Sequence, residues 1–117
     1  RRIRRYQRMQ LHYNTLISKD EKFKTHPVEH STTLDISEGG CALLTNQQWE
    51  INDRIWLRFI EFDDQTPIQA TIRRWTPWGT PMTIPSIGVC FGSLTDMQRE
   101  QIRHPGKAIY QKKKQSD

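Results

Sequence analysis

Apolar and polar residues alternate in short runs along most of this chain, and clusters of turn-forming residues separate the runs. Side chains two apart share a face of a strand, so the run from Met9 predicts a first strand with Leu11, Tyr13, Thr15 and Ile17 on one side. The cluster Ser18-Lys19-Asp20-Glu21-Lys22 makes a hairpin turn. A second strand runs from about Phe23 to Ser37, with an irregularity at Pro27, which has no N–H to give to a ladder. At its end Leu34 and Ile36 face a core, while Asp35 and Ser37 stand on the other side. Gly39-Gly40 stop the run in a sharp turn, where glycine allows a positive φ or the close approach of another molecule. Cys41 to Thr45 reads as a third strand and Asn46 to Asp53 as a loop. Arg54 to Phe62 carries the clearest alternation, with Ile55, Leu57 and Phe59 opposite Trp56, Arg58 and Ile60. After the turn Asp63-Asp64-Gln65-Thr66-Pro67, Ile68, Ala70 and Ile72 alternate with Gln69, Thr71 and Arg73 in a fifth strand ending near Trp75. Thr76 to Pro85, rich in proline, is a long hairpin loop, and Ile87, Val89 and Phe91 define a sixth strand. Only then does a helix signal appear. Thr95 and Gln98 have the spacing of a capping box, Met97, Ile102 and Gln101 supply a weak apolar face, and Pro105-Gly106 ends the element.

Six short strands at roughly ten-residue spacing, followed by one helix, predict an all-β domain: a small antiparallel barrel or sandwich with a C-terminal α-helix. At 117 residues the chain is one domain with a modest core, 34% of its residues being hydrophobic and its mean hydropathy −0.82. No run has the roughly 18 apolar residues of a membrane span, and no signal-peptide pattern is present, so the expected location is the cytoplasm. Cys41 and Cys90 both sit in apolar, strand-like runs and are expected as reduced, buried thiols.

Charge changes the picture when it is located. Residues 1–8 hold five arginines and no acid, residues 9–111 hold ten basic and twelve acidic residues, and residues 112–117 add three lysines and one aspartate. A domain that binds a duplex spreads basic residues over one face. Here they are confined to a short arm and a tail, which fits a small anionic partner better. Arginine forks match phosphate oxygens and the O6/N7 edge of guanine. The Asp35 carboxylate accepts from N–H donors such as guanine N1 and N2, and the Ser37 hydroxyl can donate or accept beside it. Arm and turn together specify a ligand that is anionic and contains guanine, although the same Asp, Ser and Gly residues also suit an ordinary strand-end turn.

Arg4-Arg5-Tyr6-Gln7-Arg8 resembles the RxxxR element, and Asp35-Ile36-Ser37-Glu38-Gly39-Gly40 the (D/N)xSxxG element, of the PilZ domain of bacterial cyclic di-GMP receptors. The resemblance implies a six-stranded antiparallel, split β-barrel with a C-terminal α-helix, divided as an arginine arm over residues 1–8, the barrel over 9–93, and the helix with its basic tail over 94–117. It implies that Arg4 and Arg8 grip guanine and phosphate, that Arg5 supports them, that Asp35 and Ser37 contact a guanine, and that Gly39 and Gly40 keep the turn open beneath it. Arg1 and Arg5 share the same spacing, so the register of the arm has an alternative. Arg74 or Trp75, near the end of the fifth strand, is expected to flank the guanine by stacking. Ile3 precedes the motif where, by the resemblance, a further arginine would help hold a second ligand molecule; this favours one ligand per domain, with Arg2 as the alternative that would allow two. The implied function is that of a non-catalytic receptor: the arm folds onto the barrel around cyclic di-GMP and relays binding to a partner protein or neighbouring domain in motility, biofilm formation or exopolysaccharide synthesis.

Two other readings stand beside it, a protein-interaction adaptor that uses the barrel without a ligand and a barrel for single-stranded nucleic acid. The retained arginines weigh against the first, the slightly acidic body against the second. No catalytic residue, metal ligand or cofactor is expected. His26 and His30 lack a third ligand, Ser37 lacks the G-x-S-x-G elbow of a nucleophile, Cys41 has no histidine partner, and Asp63-Asp64 serves a turn. Neither DNA binding nor membrane insertion is expected.

Overall fold

The computed structural model describes residues 11–24, 28–79 and 84–105. The strands are β1 (Asn14–Ser18), β2 (Glu29–Ile36), β3 (Gly40–Leu44), β4 (Arg54–Phe59), β5 (Ile68–Thr76) and β6 (Ser86–Phe91), followed by helix α1 (Asp96–Arg103). They close into one barrel in the order β1-β2-β3-β6-β5-β4, every neighbour antiparallel. Two three-strand meanders, β1-β2-β3 and β4-β5-β6, are joined at both sides by β1·β4 and β3·β6. Closure gives each strand a partner on both sides.

Alternation builds the interior. Ile17, Ile36, Cys41, Leu43, Ile55, Leu57, Phe59, Ile68, Ala70, Ile72, Ile87 and Val89 all point inward and are buried. Leu11 and Tyr13, ahead of β1, pack on this core from one side. Phe62 is buried although β4 ends at Phe59. The chain turns there, with Phe62 N–H donating to Phe59 O at 3.1 Å, and folds the ring back against Phe59 at 4.9 Å between centroids.

Two β-bulges interrupt the alternation. In β2, Thr33 pairs with Leu43 and Asp35 with Ala42, so Leu34 is the extra residue. In β5, Ile72 pairs with Val89 and Arg74 with Gly88, so Arg73 is the extra residue. A bulge reverses which face the following residues occupy. This corrects the expectation for Leu34, which is half-buried; Thr33 and Ile36, three apart, face inward instead. Cys90 is a second correction. It is exposed, because its turn in the alternation of β6 faces out, opposite Gly40 and Thr71.

Helix α1 begins at the expected cap. The Thr95 hydroxyl accepts from Gln98 N–H at 3.1 Å, and Gln98 Oε1 accepts from Thr95 N–H at 3.0 Å. Of the expected face, Gln101 and Ile102 are buried, but Met97 is exposed and Gln98 is buried in its place. Both glutamines are buried because the turn after β4 offers them backbone partners. Gln98 Nε2 donates to Thr66 O at 2.8 Å and Gln101 Oε1 accepts from Asp63 N–H at 2.9 Å. Asp64 completes the dock, accepting from the Thr95 hydroxyl at 2.6 Å.

Candidate functional site

The turn between β2 and β3 is built by Ser37 and the two glycines. Ser37 N–H donates to Gly40 O at 2.8 Å, and the Ser37 hydroxyl, buried, accepts from Gly39 N–H at 3.3 Å. The serine thus faces into the turn and closes it, rather than standing free beside Asp35. Gly39 O accepts from Phe91 N–H at 2.9 Å, which pins the turn to β6. Positive φ does not explain this glycine pair, since Gly79 is the glycine with positive φ among the described residues. Close approach does, at Gly40: a Cβ there would lie 2.0 Å from Val89 O.

From Asp35 a row of paired residues crosses four strands on the outside of the barrel: Asp35 on β2, Ala42 on β3, Gly88 on β6 and Arg74 on β5. Directly paired residues share a face, and both ends of the row follow a bulge. Had β2 and β5 kept strict alternation from Thr33 and Ile72, Asp35 and Arg74 would have pointed into the core. The bulges turn them outward and turn Ile36 and Trp75 in. The two middle residues have almost no side chain, so a smooth floor separates a carboxylate from a guanidinium. Arg74 is held over that floor. Its Nη1 donates to Thr76 Oγ1 at 2.6 Å and to Ser86 Oγ at 3.2 Å, and its Nε would sit 3.2 Å from a Cβ on Gly88. Trp75, one residue on, pairs with Ile87 and packs against the core.

The strand that leads into β1 is stitched to the same bulge. Thr33 N–H donates to Tyr13 O at 3.0 Å, the Thr33 hydroxyl accepts from Tyr13 N–H at 2.8 Å and donates to Leu11 O, and His12 Nδ1 lies 2.8 Å from Thr33 O. No sequence signal marked Thr33, Ser86, Thr76 or Gly88, because their contacts are set by the bulges and by strand register rather than by a local motif. Arg4, Arg5 and Arg8, with the rest of the arm, lie outside the described residues, as do His26, Pro27 and the lysine tail. Two grooves lie elsewhere: one of about 740 Å³ along β1 and β2 beside Leu44 and Pro85, and one of about 610 Å³ lined by Trp75, Pro77 and Trp78. The lining of neither includes Asp35 or Arg74. Among the described residues no group of three or more His, Cys, Asp or Glu could hold a metal ion, and no helix is long and apolar enough to cross a membrane.

The sequence model of the PilZ domain matches residues 2–104, a span that takes in the arginine segment, the whole barrel and α1. This chain belongs to the PilZ domain family. Solved structures share the PilZ fold. The inhibitor of motility MotI/DgrA of Bacillus subtilis aligns with a TM-score of 0.65 and 15% identity, over 95% of this chain and 52% of its own. The MrkH–c-di-GMP complex of K. pneumonia aligns with a TM-score of 0.63 and 18% identity, over 99% of this chain and 56% of its own. The PilZ chain described here therefore spans about half the length of these structures. No curated protein matches it in sequence.

Proposed function

We propose that this PilZ domain is a receptor for cyclic di-GMP, which lies across the row from Asp35 to Arg74 and is covered by the arginine segment. The row is the observation that carries the reading: a hydrogen-bond acceptor for guanine N1 and N2 at one end, a planar cation at the other, and between them only Ala42 and Gly88, whose small size lets the guanidinium lie close to the sheet and leaves its outer face for a base. A guanidinium fixed by two hydroxyls offers its face for stacking. That geometry favours Arg74 over Trp75 as the flanking residue. Gly40 lets β3 and β6 close up beneath the turn, and Ser37 and Gly39 shape it.

A ligand laid on a sheet face rather than in a cavity needs a cover to bind tightly. Leu11 to Tyr13 run beside β2 in the antiparallel sense that leads upstream toward Asp35. Arg8 is three residues before Leu11, a reach of at most about 11 Å. Arg4 and Arg8 would then grip guanine and phosphate, with Arg5 in support. Family membership and the ligand named for the MrkH complex support the same choice. Binding is non-catalytic in this reading, and its output passes to a partner protein or a neighbouring domain.

Calorimetric titration tests it. Cyclic di-GMP should bind the chain, with cyclic di-AMP and GTP far weaker, and Asp35→Ala and Arg8→Ala should each weaken binding by about tenfold or more, each removing charge-assisted hydrogen bonds. No heat with cyclic di-GMP at micromolar protein would sink the reading.

A further inference from the structure

The turn that carries Asp35 and Ser37 also carries Glu38, which has no part in the recognition proposed above. A carboxylate in a turn that seats a ligand with two phosphates repels that ligand. Its partner comes from the far end of the domain: Arg103 Nε donates to Glu38 Oε2 at 2.7 Å across 65 residues of sequence. The Glu38 side chain is about 20% exposed and that of Arg103 about 52%. The Arg103 hydrogen bond holds the Glu38 carboxyl below its ordinary range, helped by the charges of Arg103 and Arg99, and Glu38 in turn raises Arg103.

Arg103 stands in the last turn of α1, where the helix dipole favours a cation. Helix α1 thus has two attachments, and its last turn takes part in both, through Gln101 and through Arg103. Its start and its buried glutamines are fixed to the turn after β4 by Thr95, Gln98 and Gln101. Its last turn reaches the Asp35–Gly40 turn through Arg103, and the chain continues from there.

We propose that Arg103 is a positioning residue of the ligand site: by pairing with Glu38 it cancels a negative charge beside the phosphates and ties the last turn of α1 to ligand occupancy. The inference rests on the cyclic di-GMP reading. Linkage fixes its sign. A ligand that binds better with the pair closed must itself favour the closed pair, so occupancy adds to the hold that buried Gln101 and Ile102 already give the last turn of α1.

The test is a calorimetric titration of the chain and its Arg103→Ala, Glu38→Gln/Arg103→Ala double and Asp35→Ala variants with cyclic di-GMP, joined to hydrogen exchange at the His104 amide, which bonds Glu100 O at 2.9 Å, in the parent chain and in the single variant Glu38→Gln. Arg103→Ala should weaken binding roughly three- to tenfold at low ionic strength and less in high salt. The double variant should recover most of that loss, because no unpaired carboxylate remains. Ligand should slow exchange at His104 in the parent chain and leave it unchanged in Glu38→Gln. Unchanged affinity in Arg103→Ala, a double variant as weak as Arg103→Ala, or ligand-induced protection that persists in Glu38→Gln would overturn the inference. In those cases binding by the parent and its loss in Asp35→Ala would leave the receptor reading standing, whereas a parent chain that does not bind overturns both.

Discussion

A Cβ on Gly40 would meet the carbonyl of Val89 at 2.0 Å, and the obstacle is strand backbone rather than the tip of a flexible side chain, so Gly40→Ala must part β3 from β6. Overpacking against backbone costs at least about 2 kcal/mol, and urea denaturation of Gly40→Ala should show a loss of that order. Gly88 presents the opposite case. Its neighbours are Arg74 atoms at 3.2 to 3.5 Å, which belong to a side chain able to swing away. Gly88→Ala should therefore leave the melting temperature within a few degrees of the parent while weakening cyclic di-GMP binding, because the new methyl roughens the floor and displaces the guanidinium. A variant that keeps full affinity would show that the ligand does not use this face. The sequence marked Gly39-Gly40 as special but left open whether a positive φ or close packing was the reason. The opposing carbonyl belongs to β6, some fifty residues on, and no local pattern shows it. Arg74 and Trp75 were indistinguishable for a related cause, since a bulge at Ile72 and Arg74 decides which faces out.

Elements follow their local signals where the forces are local. The capping box of α1 is complete within four residues, and it formed as the spacing predicts. Which face of α1 is buried depends on what lies under it, and there the turn after β4 supplies carbonyls for Gln98 and Gln101 in place of an apolar seat for Met97. Asp64 links the two elements, accepting from Thr66 N–H and Oγ1 and from the Thr95 hydroxyl. Those hydrogen bonds, Thr66 first, hold its carboxyl below the ordinary aspartate range. A depressed carboxyl stabilises the native state fully above its unfolded pKa and loses that contribution as pH falls through the folded value. The urea midpoint should accordingly fall as pH drops below about 4, the ordinary aspartate range, and Asp64→Asn should be less stable at pH 7 and show a shallower fall. Equal slopes in parent and variant would remove Asp64 from the acid response.

For the molecule as a whole, closure makes the two meanders depend on one another, because β1·β4 and β3·β6 each join one to the other. Phe59 sits where they meet, 1% exposed, with the rings of Phe62, Tyr13 and Phe91 at 4.9 to 6.1 Å. Phe59→Ala should cost about 3–5 kcal/mol, a large share of the 5–15 kcal/mol typical of a domain. Fluorescence and circular dichroism should report one coincident transition in urea, whereas separate transitions would mean that the meanders unfold independently. The charge distribution also belongs to this scale: a slightly acidic body with basic ends suits a compact anion gripped locally, and it does not suit a nucleic acid laid along the barrel. By itself the sequence determined the strand count, the interior residues of β4 and β6, the cap of α1 and the motif residues of arm and turn, since alternation, capping and turn chemistry act over two to four neighbouring residues. Only the tertiary structure decided the closure of the barrel, the outward aim of Arg74, the turn of Ser37 into the β2–β3 loop, the small residues Ala42 and Gly88 between Asp35 and Arg74, and the meeting of Glu38 with Arg103. Each of those depends on register between strands or elements distant in sequence, and register is fixed by bulges and packing that become visible only once the strands are side by side.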